Sequence, residues 1–355
     1  MMLLSQLIDR YQKDLEASHG HEMLPSHHQA LRAMRRCRRE GSDYMLLQCQ
    51  PCTTTIRIPH SCGHRSCPHC QHHDSQQWID RQTAKLLPVS YFMVTFTVPA
   101  QMRSVFWSHQ KSMYDLLIKA AWQTIDSFAR RDPKLKGKIG AHSVLHTHNR
   151  KLEYHPHVHM IIPAGVIEHQ AGVWRSKGGH YLFRDRNLAR VFRAKMIDGI
   201  KQHGFQVIDT LPDQWVVHSK EVGRGHQALI YLGRYLYRGV IPEKNILADD
   251  QGIVTFRVIE NTGQELIQSL PGAEFLWRLL LHVLPRGFRR VRDYGLLHGN
   301  AKRLIQLVQL VQLVLSVRLP WPMPSREPTP ILCPRCGGIL QLLRVRQRGP
   351  MPALC

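Results

Sequence analysis

Hydrophobic residues recur at every second position in the segment "YFMVTFTVP", where Phe92, Val94, Phe96 and Val98 share one side of an extended chain. A period of two predicts a strand with one buried face. The segments "KIGAHSVLHTH" and "HVHMIIPAG" predict two more strands, and the short link between them indicates that they are neighbours. A further segment, "GIVTFRVIENTGQELIQSL", predicts a hairpin that turns at residues 261–263.

Other segments show the helical period. Met113, Leu117, Ala120 and Ile125 fall on one side of a helix predicted over residues 104–131. Further helices are predicted within residues 1–40, in "LARVFRAKMIDGIKQHGF" as far as Gly204, and over residues 224–238. Because strands and helices interleave without strict alternation, we expect an α+β fold with a mainly antiparallel sheet.

The composition of the chain indicates a class of binding partner. The chain has 355 residues, 43% of them hydrophobic, which is enough for two domains with a real core. Lys and Arg number 48 against 26 Asp and Glu, a net charge of +22 that favours nucleic acid. No apolar run reaches the roughly 18–20 residues of a membrane-spanning helix, and no cleavage site follows the N-terminal segment. We therefore expect a basic cytoplasmic protein without a membrane partner.

Basic residues concentrate in "LRAMRRCRRE" near the N-terminus and in "PRGFRRVRDYG" late in the chain. Such a run forms either a solvated face or a set of phosphate contacts. Because the whole chain is so basic, phosphate contact is at least as good an interpretation as a solvated face. The candidate DNA contacts are Arg32, Arg35, Arg36, Arg38, Arg39, Arg234, Arg238, Arg286, Arg289 and Arg290.

Cysteines point to metal. The chain has nine, five of them within residues 49–70, a density that indicates a metal site in a reducing compartment and not a disulfide framework. The pairs "CQPC" and "CPHC" enclose 14 residues, and four thiolates at Cys49, Cys52, Cys67 and Cys70 would hold a structural zinc ion tetrahedrally. Cys62 has three open roles: a core thiol, an alternative fourth ligand, or part of a second site with a nearby histidine. Those histidines are His60, His64 and His69.

The C-terminal region follows a Pro-rich segment at residues 319–330, which we interpret as a linker. Cys333 and Cys336 in "CPRCGG" supply half a metal site, and Cys355 is a candidate third ligand. The expected organisation is therefore a helical and zinc-binding domain at 1–85, a second domain at 86–318, and a linker with a short tail at 319–355.

The segment "HPHVH" places His157 and His159 on one face of a predicted strand, while Val158 points into the core. Two imidazoles about 7 Å apart along a strand can converge on one metal ion. The alternative is an ordinary wet sheet face in a histidine-rich chain.

The segment "YLGRYLYRG" places Tyr231 and Tyr235 four residues apart, so they share one helix face, whereas Tyr237 points elsewhere. Such a pair is usually part of an apolar stripe. Beside a metal-bound phosphate, however, a tyrosine hydroxyl is a competent nucleophile. Arg234 or Arg238 could favour its phenolate form.

Together, "CQPC", "SCGHRSCPHC", "HPHVH" and "YLGRY" occur in an order that resembles the two-tyrosine HUH transposases of rolling-circle insertion sequences, the IS91 type. The likeness extends over nearly the whole chain and includes "VTFTVPAQMR", "FRAKM" and "HVLPRGFRRVRDYG". It implies a zinc-binding N-terminal domain followed by an HUH nuclease domain with a central antiparallel sheet flanked by helices.

The resemblance also implies roles for residues. His157 and His159 would bind magnesium or manganese, with a third ligand open between His155, Glu153 and His146. Tyr231 and Tyr235 would cleave single-stranded DNA at the element ends, forming a 5′-phosphotyrosine and a free 3′-hydroxyl.

Two other classes remain as alternatives. Plasmid replication initiators and conjugative relaxases use the same chemistry, but the zinc segment combined with the "YLGRY" spacing favours a transposase. A non-catalytic zinc-ribbon DNA-binding protein would have no use for both a histidine pair and a tyrosine pair. A zinc hydrolase is disfavoured because the HEXXH motif is absent.

Overall fold

The computed structural model describes most of the chain. The described residues are 3–39, 43–68, 70, 72–87, 89–149, 151–168, 173–179, 182–207, 210–237, 240–259, 264–306, 308 and 330–346, without the side chains of 72–74, 234–237 and 346. The helices are α1 Leu4–His19, α2 Pro25–Arg35, α3 His72–Thr83, α4 Arg103–Ser108, α5 Gln110–Arg131, α6 Asp185–Gln202, α7 His226–Tyr237 and α8 Gly272–Leu280. The strands are β1 Tyr44–Cys49, β2 Thr55–Pro59, β3 Tyr91–Thr97, β4 Gly140–His148, β5 Tyr154–Pro163, β6 Gly165–Glu168, β7 Val173–Ser176, β8 Val216–Glu221, β9 Ile246–Asp250, β10 Ile253–Ile259, β11 Glu265–Pro271, β12 Val291–Gly295 and β13 Leu340–Arg346.

A five-stranded antiparallel sheet in the order β12-β4-β5-β3-β8 lies at the centre of the molecule. The predicted α+β class with a central antiparallel sheet flanked by helices is confirmed, and β4 and β5 are neighbours as their short link indicated. The predicted hairpin corresponds to β10 paired with β11, although its turn lies outside the described residues. The helix predicted over 104–131 is wrong in one respect, because it breaks at His109 into α4 and α5.

The central sheet has two unlike faces because successive side chains of a strand point in opposite directions. One face is covered by α5 and α6 and forms the largest core, in which Phe96 packs on Phe192 with ring centroids 4.9 Å apart. Burying each such side chain stabilises the fold by roughly 1.5–3 kcal/mol. The opposite face carries Val144 and Ile161 and is covered by α3 and α7. That second face also carries the histidines.

The N-terminal helices share a core with residues far along the chain. Helices α1 and α2 pack against α8 and the sheet β11-β10-β9, and Leu7, Phe256 and Phe275 are all fully buried there. Gly272 allows this approach, since a Cβ at that position would lie 2.3 Å from a ring carbon of Tyr11. This packing crosses the boundary that we predicted at residue 85.

Residues 330–346, which we expected to form a short tail, are instead part of a sheet with an early strand. β13 pairs antiparallel with β1, so the small sheet β13-β1-β2 joins residues 44–59 to residues 340–346. Sequence order concealed this pairing, because nearly 300 residues separate the two strands. Among the residues that the structure describes, no helix combines the length and apolar character needed to cross a membrane.

Candidate metal and nucleophile site

Three histidines converge on the α7 side of the central sheet. His157 and His159 project from β5, and His146 lies directly opposite His157 on β4. One ligand nitrogen from each of these side chains lies within 4.8 Å of the others. The antiparallel register thus adds His146 to a pair that one strand already places on a single face.

The other two candidates for a third ligand make different contacts. Glu153 accepts a hydrogen bond from the side-chain amide of Asn149 at 2.5 Å, and His155 Nδ1 lies 3.2 Å from a guanidinium nitrogen of Arg103. Neither belongs to the group of converging ligand atoms found among the described residues. The sequence alone left these three residues equal, and cross-strand register separates them.

Two of the histidines are held by contacts through their Nδ1 atoms. His157 Nδ1 lies 2.7 Å from the backbone oxygen of His155 and donates to it, so its Nε2 carries the lone pair. His159 Nδ1 lies 2.8 Å from the hydroxyl of Thr95, the residue opposite it on β3. Such outer contacts fix ring orientation before any ligand binds.

Burial keeps this group uncharged. It lowers the pKa of His157 to about 4, and burial together with the neighbouring histidines lowers the pKa values of His146 and His159 well below the usual range. The imidazoles are therefore neutral near pH 7, which is the form that coordinates metal. Three convergent neutral nitrogens fit one divalent cation.

Helix α7 brings Tyr231 to the same place. Its ring is perpendicular to that of His159 with centroids 6.3 Å apart, and the residue is 36% exposed. Tyr235 lies one turn later in α7, but its side chain and that of Arg234 are outside the described residues, as is the whole of Arg238.

The position of α7 depends on Gly233, which sequence reasoning missed. A Cβ there would lie 2.4 Å from Cγ1 of Ile79, so glycine permits close packing of α7 on α3. Ser75 in α3 also donates a hydrogen bond of 2.8 Å to the Gly233 oxygen. Leu229 and Leu232 anchor α7 on the sheet. The glycine between the two tyrosines in "YLGRY" was the signal available in the sequence.

A charged network continues along the same sheet face. Asp293 on β12 accepts from Lys85 Nζ at 2.8 Å and lies 2.8 Å from His142 Nδ1 on β4. Burial raises the pKa of Asp293, but the hydrogen bonds and charges of His142 and Lys85 more than offset this, and the net result is a pKa of about 2. This network joins β12 to β4 beside the histidine site.

The predicted arginines occupy unlike environments. Arg32, Arg36 and Arg38 are exposed, whereas Arg35 and Arg39 form ion pairs with Asp9. Arg286 and Arg289 are exposed on the loop before β12. Arg290 is half-buried, and burial together with the charge of Arg65 lowers its pKa to about 10.

Arg65 is a structural residue that the sequence did not single out. Its guanidinium donates to three backbone oxygens of the loop that carries Arg286 and Arg289, namely those of Leu284, Pro285 and Phe288, at 2.7–3.1 Å. The cysteine-rich segment thereby holds the late basic loop in place.

The cysteines form two groups, and the predicted grouping of Cys49, Cys52, Cys67 and Cys70 is not the one observed. Cys67 and Cys70 meet Cys62 and Cys37, with Sγ–Sγ distances of 3.5 Å for Cys37–Cys70, and 3.6 Å for both Cys37–Cys67 and Cys62–Cys70. Tetrahedral zinc with Zn–S bonds of about 2.3 Å requires sulfur atoms roughly 3.8 Å apart, so this group fits zinc.

Cys37 was overlooked because it stands alone in an arginine run, without a second cysteine three positions away. It is buried just after α2. Cys62 thus belongs to this group of converging thiols, and no histidine joins the cysteines among the described residues. Cys49 and Cys52 instead lie beside Cys333 and Cys336, while Cys355 and His69 are outside the described residues.

Two family models match this chain. The model described as "Transposase zinc-binding domain" matches residues 5–98, and the one described as "Putative transposase" matches residues 140–304. The first range includes all four cysteines of the Cys37 group, and the second includes the three histidines and both tyrosines.

Known proteins agree with these matches. A protein described as "Putative transposase y4qJ" from Sinorhizobium fredii is 29% identical over 92% of this chain and 87% of its own length. The transposase for insertion sequence element IS801 from Pseudomonas savastanoi pv. phaseolicola is 27% identical over 77% of this chain and 70% of its own. A solved structure of the conjugative relaxase TrwC in complex with oriT DNA aligns over 64% of this chain and 74% of its own, at 14% identity and a TM-score of 0.27.

Fold and matches define an enzyme of the transposase class with a structural zinc domain. The chain belongs to the IS91-type transposases, which confirms the family that its motifs resemble. Its function is that of an insertion-sequence transposase.

Proposed function

We propose that this transposase cleaves and rejoins one DNA strand at the ends of its element, with Tyr231 and Tyr235 as nucleophiles. The observation that carries the proposal is the three-histidine group with the Tyr231 ring beside it. A divalent cation bound by His146, His157 and His159 would polarise the scissile phosphate and stabilise charge on its non-bridging oxygens. This is the HUH chemistry that the sequence motifs suggested.

The covalent step balances without an added energy source. The Tyr231 oxygen bonds to phosphorus as the bond from phosphorus to the 3′ oxygen breaks, the phenol proton passes to solvent, and the leaving oxygen gains a proton. The 5′-phosphotyrosine retains the energy of the phosphodiester, so a 3′-hydroxyl can reverse the step on another strand. A second tyrosine allows two such linkages to exist together, one for the donor and one for the target strand.

The three histidine nitrogens favour some divalent cations over others. Three imidazoles without a carboxylate suit manganese better than magnesium, because manganese accepts nitrogen ligands more readily, whereas magnesium prefers oxygen ligands. We therefore expect manganese to support cleavage at lower concentration than magnesium.

DNA is the partner that the charge favours. The net charge of +22 suits a polyanion, and Arg286 and Arg289 are exposed on the loop before β12, the edge strand beside β4. We propose that Arg286 and Arg289 contact phosphates of the bound strand. We also propose that Arg32, Arg36 and Arg38 contact phosphates near the zinc domain.

The test is a covalent-adduct assay with a labelled single-stranded oligonucleotide that carries an element end. Wild type with manganese should give a protein–DNA adduct on a denaturing gel. Tyr231→Phe/Tyr235→Phe should lose it by at least about 10³-fold, whereas Tyr237→Phe, on another face of the same helix, should retain it. An adduct from the double variant would refute the nucleophile assignment, and a wild type that binds the DNA without forming any adduct would refute the reaction.

A further inference from the structure

We propose that Cys49, Cys52, Cys333 and Cys336 form a second zinc site, a zinc ribbon assembled from two segments that are nearly 300 residues apart in the sequence. The Sγ atoms of Cys49 and Cys336 are 3.4 Å apart, and those of Cys52 and Cys333 are 3.7 Å apart. These separations approach the roughly 3.8 Å edge of a tetrahedral zinc–thiolate centre. The matched zinc-binding domain ends at residue 98 and so contains only half of this ligand set.

The two cysteine pairs have the same backbone geometry. The Cys49 amide donates to the Thr54 oxygen at 2.9 Å, and the Cys333 amide donates to the oxygen five residues later, that of Gly338, at 2.7 Å. In each pair, the residue after the second cysteine is left-handed, with φ of +53° at Thr53 and +72° at Gly337. Two equivalent turns that each direct two thiols inward are the arrangement that tetrahedral metal binding requires.

The turns approach each other closely enough to require glycine. A Cβ on Gly338 would lie 2.8 Å from Pro51 and 3.1 Å from the Cys49 sulfur. The second glycine of "CPRCGG" therefore leaves room for the opposite pair.

The sheet around this site has almost no core of its own. Its buried members are Leu47, Leu340 and two of the cysteines, while Leu342 and Leu343 are 58% and 55% exposed. Three short strands with so little buried apolar surface do not stabilise themselves. Metal binding supplies the missing stability in small domains of this kind, because the ligand set does not exist in the unfolded chain.

The ribbon is separate from the Cys37 group, since no cysteine is shared between the two. Four thiolates select zinc or iron, and a closed tetrahedral set leaves no position for substrate. Its role is structural: it fastens residues 330–346 to β1 and β2, so this segment is part of the zinc-binding domain.

Metal analysis of the purified full-length protein tests this directly, without DNA or cleavage. Wild type should contain two zinc ions per chain, and both Cys333→Ser/Cys336→Ser and Cys67→Ser/Cys70→Ser should contain one. Cys355→Ser, which removes a cysteine that is not among the eight proposed ligands, should retain two. One zinc in wild type, two in Cys333→Ser/Cys336→Ser, or iron in place of zinc would overturn the proposal.

A second measurement guards against misfolded variants. A protease site placed between residues 319 and 330 of otherwise unchanged protein allows the chain to be cut. The C-terminal fragment should remain bound to the rest until a zinc chelator is added, and then dissociate. A fragment that leaves on cutting alone, or stays after zinc is stripped, would contradict metal fastening. Neither outcome depends on the proposed DNA cleavage, so the two hypotheses can fail separately.

Discussion

The histidine site and the cysteine ribbon are both candidate metal sites, but they are held in opposite ways. His146, His157 and His159 come from two adjacent strands of a sheet that is packed on both faces. The ribbon ligands come from opposite ends of the chain and lie on a sheet with little buried surface. The first geometry is therefore organised by the apolar core before metal binds, whereas the second depends on metal for its existence.

The largest expected effect separates activity from stability at the histidine site. His157→Ala should lower adduct formation by at least about 10³-fold, because it removes a ligand of the activating cation. Its free energy of unfolding should change by no more than about 1 kcal/mol, since the surrounding core is untouched. Oligonucleotide cleavage and urea denaturation measure the two quantities. A large loss of stability would show that the site is not organised by the core alone.

Metal removal should act mainly on the ribbon. When a chelator strips zinc from wild type, backbone amides of β1, β2 and β13 should exchange hydrogen at least about 100-fold faster, equivalent to roughly 3 kcal/mol of lost protection. Amides of β3 and β5 should keep their protection, because apolar packing holds them. Hydrogen exchange followed by mass spectrometry reports both regions in one sample, and uniform deprotection would remove the contrast between them.

The smallest effect concerns the network beside the histidines. The pKa of Asp293 in the folded protein is about 2, below its usual 3.8, so its contribution to stability is present above pH 4 and is lost as pH falls toward 2. The expected loss is about 2 kcal/mol. Asp293→Asn should be less stable than wild type at pH 7 and should show a weaker acid dependence from pH 5 to 2. Parallel curves for the two proteins would refute the assignment.

Local pattern predicted the central strands well because alternation depends only on neighbouring residues. It found β3, β4 and β5, and it placed His157 and His159 on one face. It could not choose the third histidine, because that choice depends on the register between β4 and β5, which shifts between His146 and His148.

The cysteines show the same limit over a longer distance. Spacing identified each C-x2-C pair as a metal-binding turn but paired the two nearest in sequence. Cys37 is not part of a C-x2-C pair, so no local pattern identified it as a ligand candidate. Cys333 and Cys336 form such a pair, but no second pair near them in the sequence indicated the other two ligands. The pairing of β13 with β1, together with the close approach that Gly338 permits, brings Cys333 and Cys336 to Cys49 and Cys52.

By itself, then, the sequence determined the α+β class and which residue types could do chemistry here, because periodicity, charge and motif spacing depend only on the order of residues along the chain. The order of its motifs also resembled that of the IS91-type family. Only the tertiary structure decided which ligands meet. His146 joins its site through strand register, and the cysteines divide into two groups through contacts across the whole chain. Such contacts follow from the burial of apolar surface between distant segments, which no local pattern encodes.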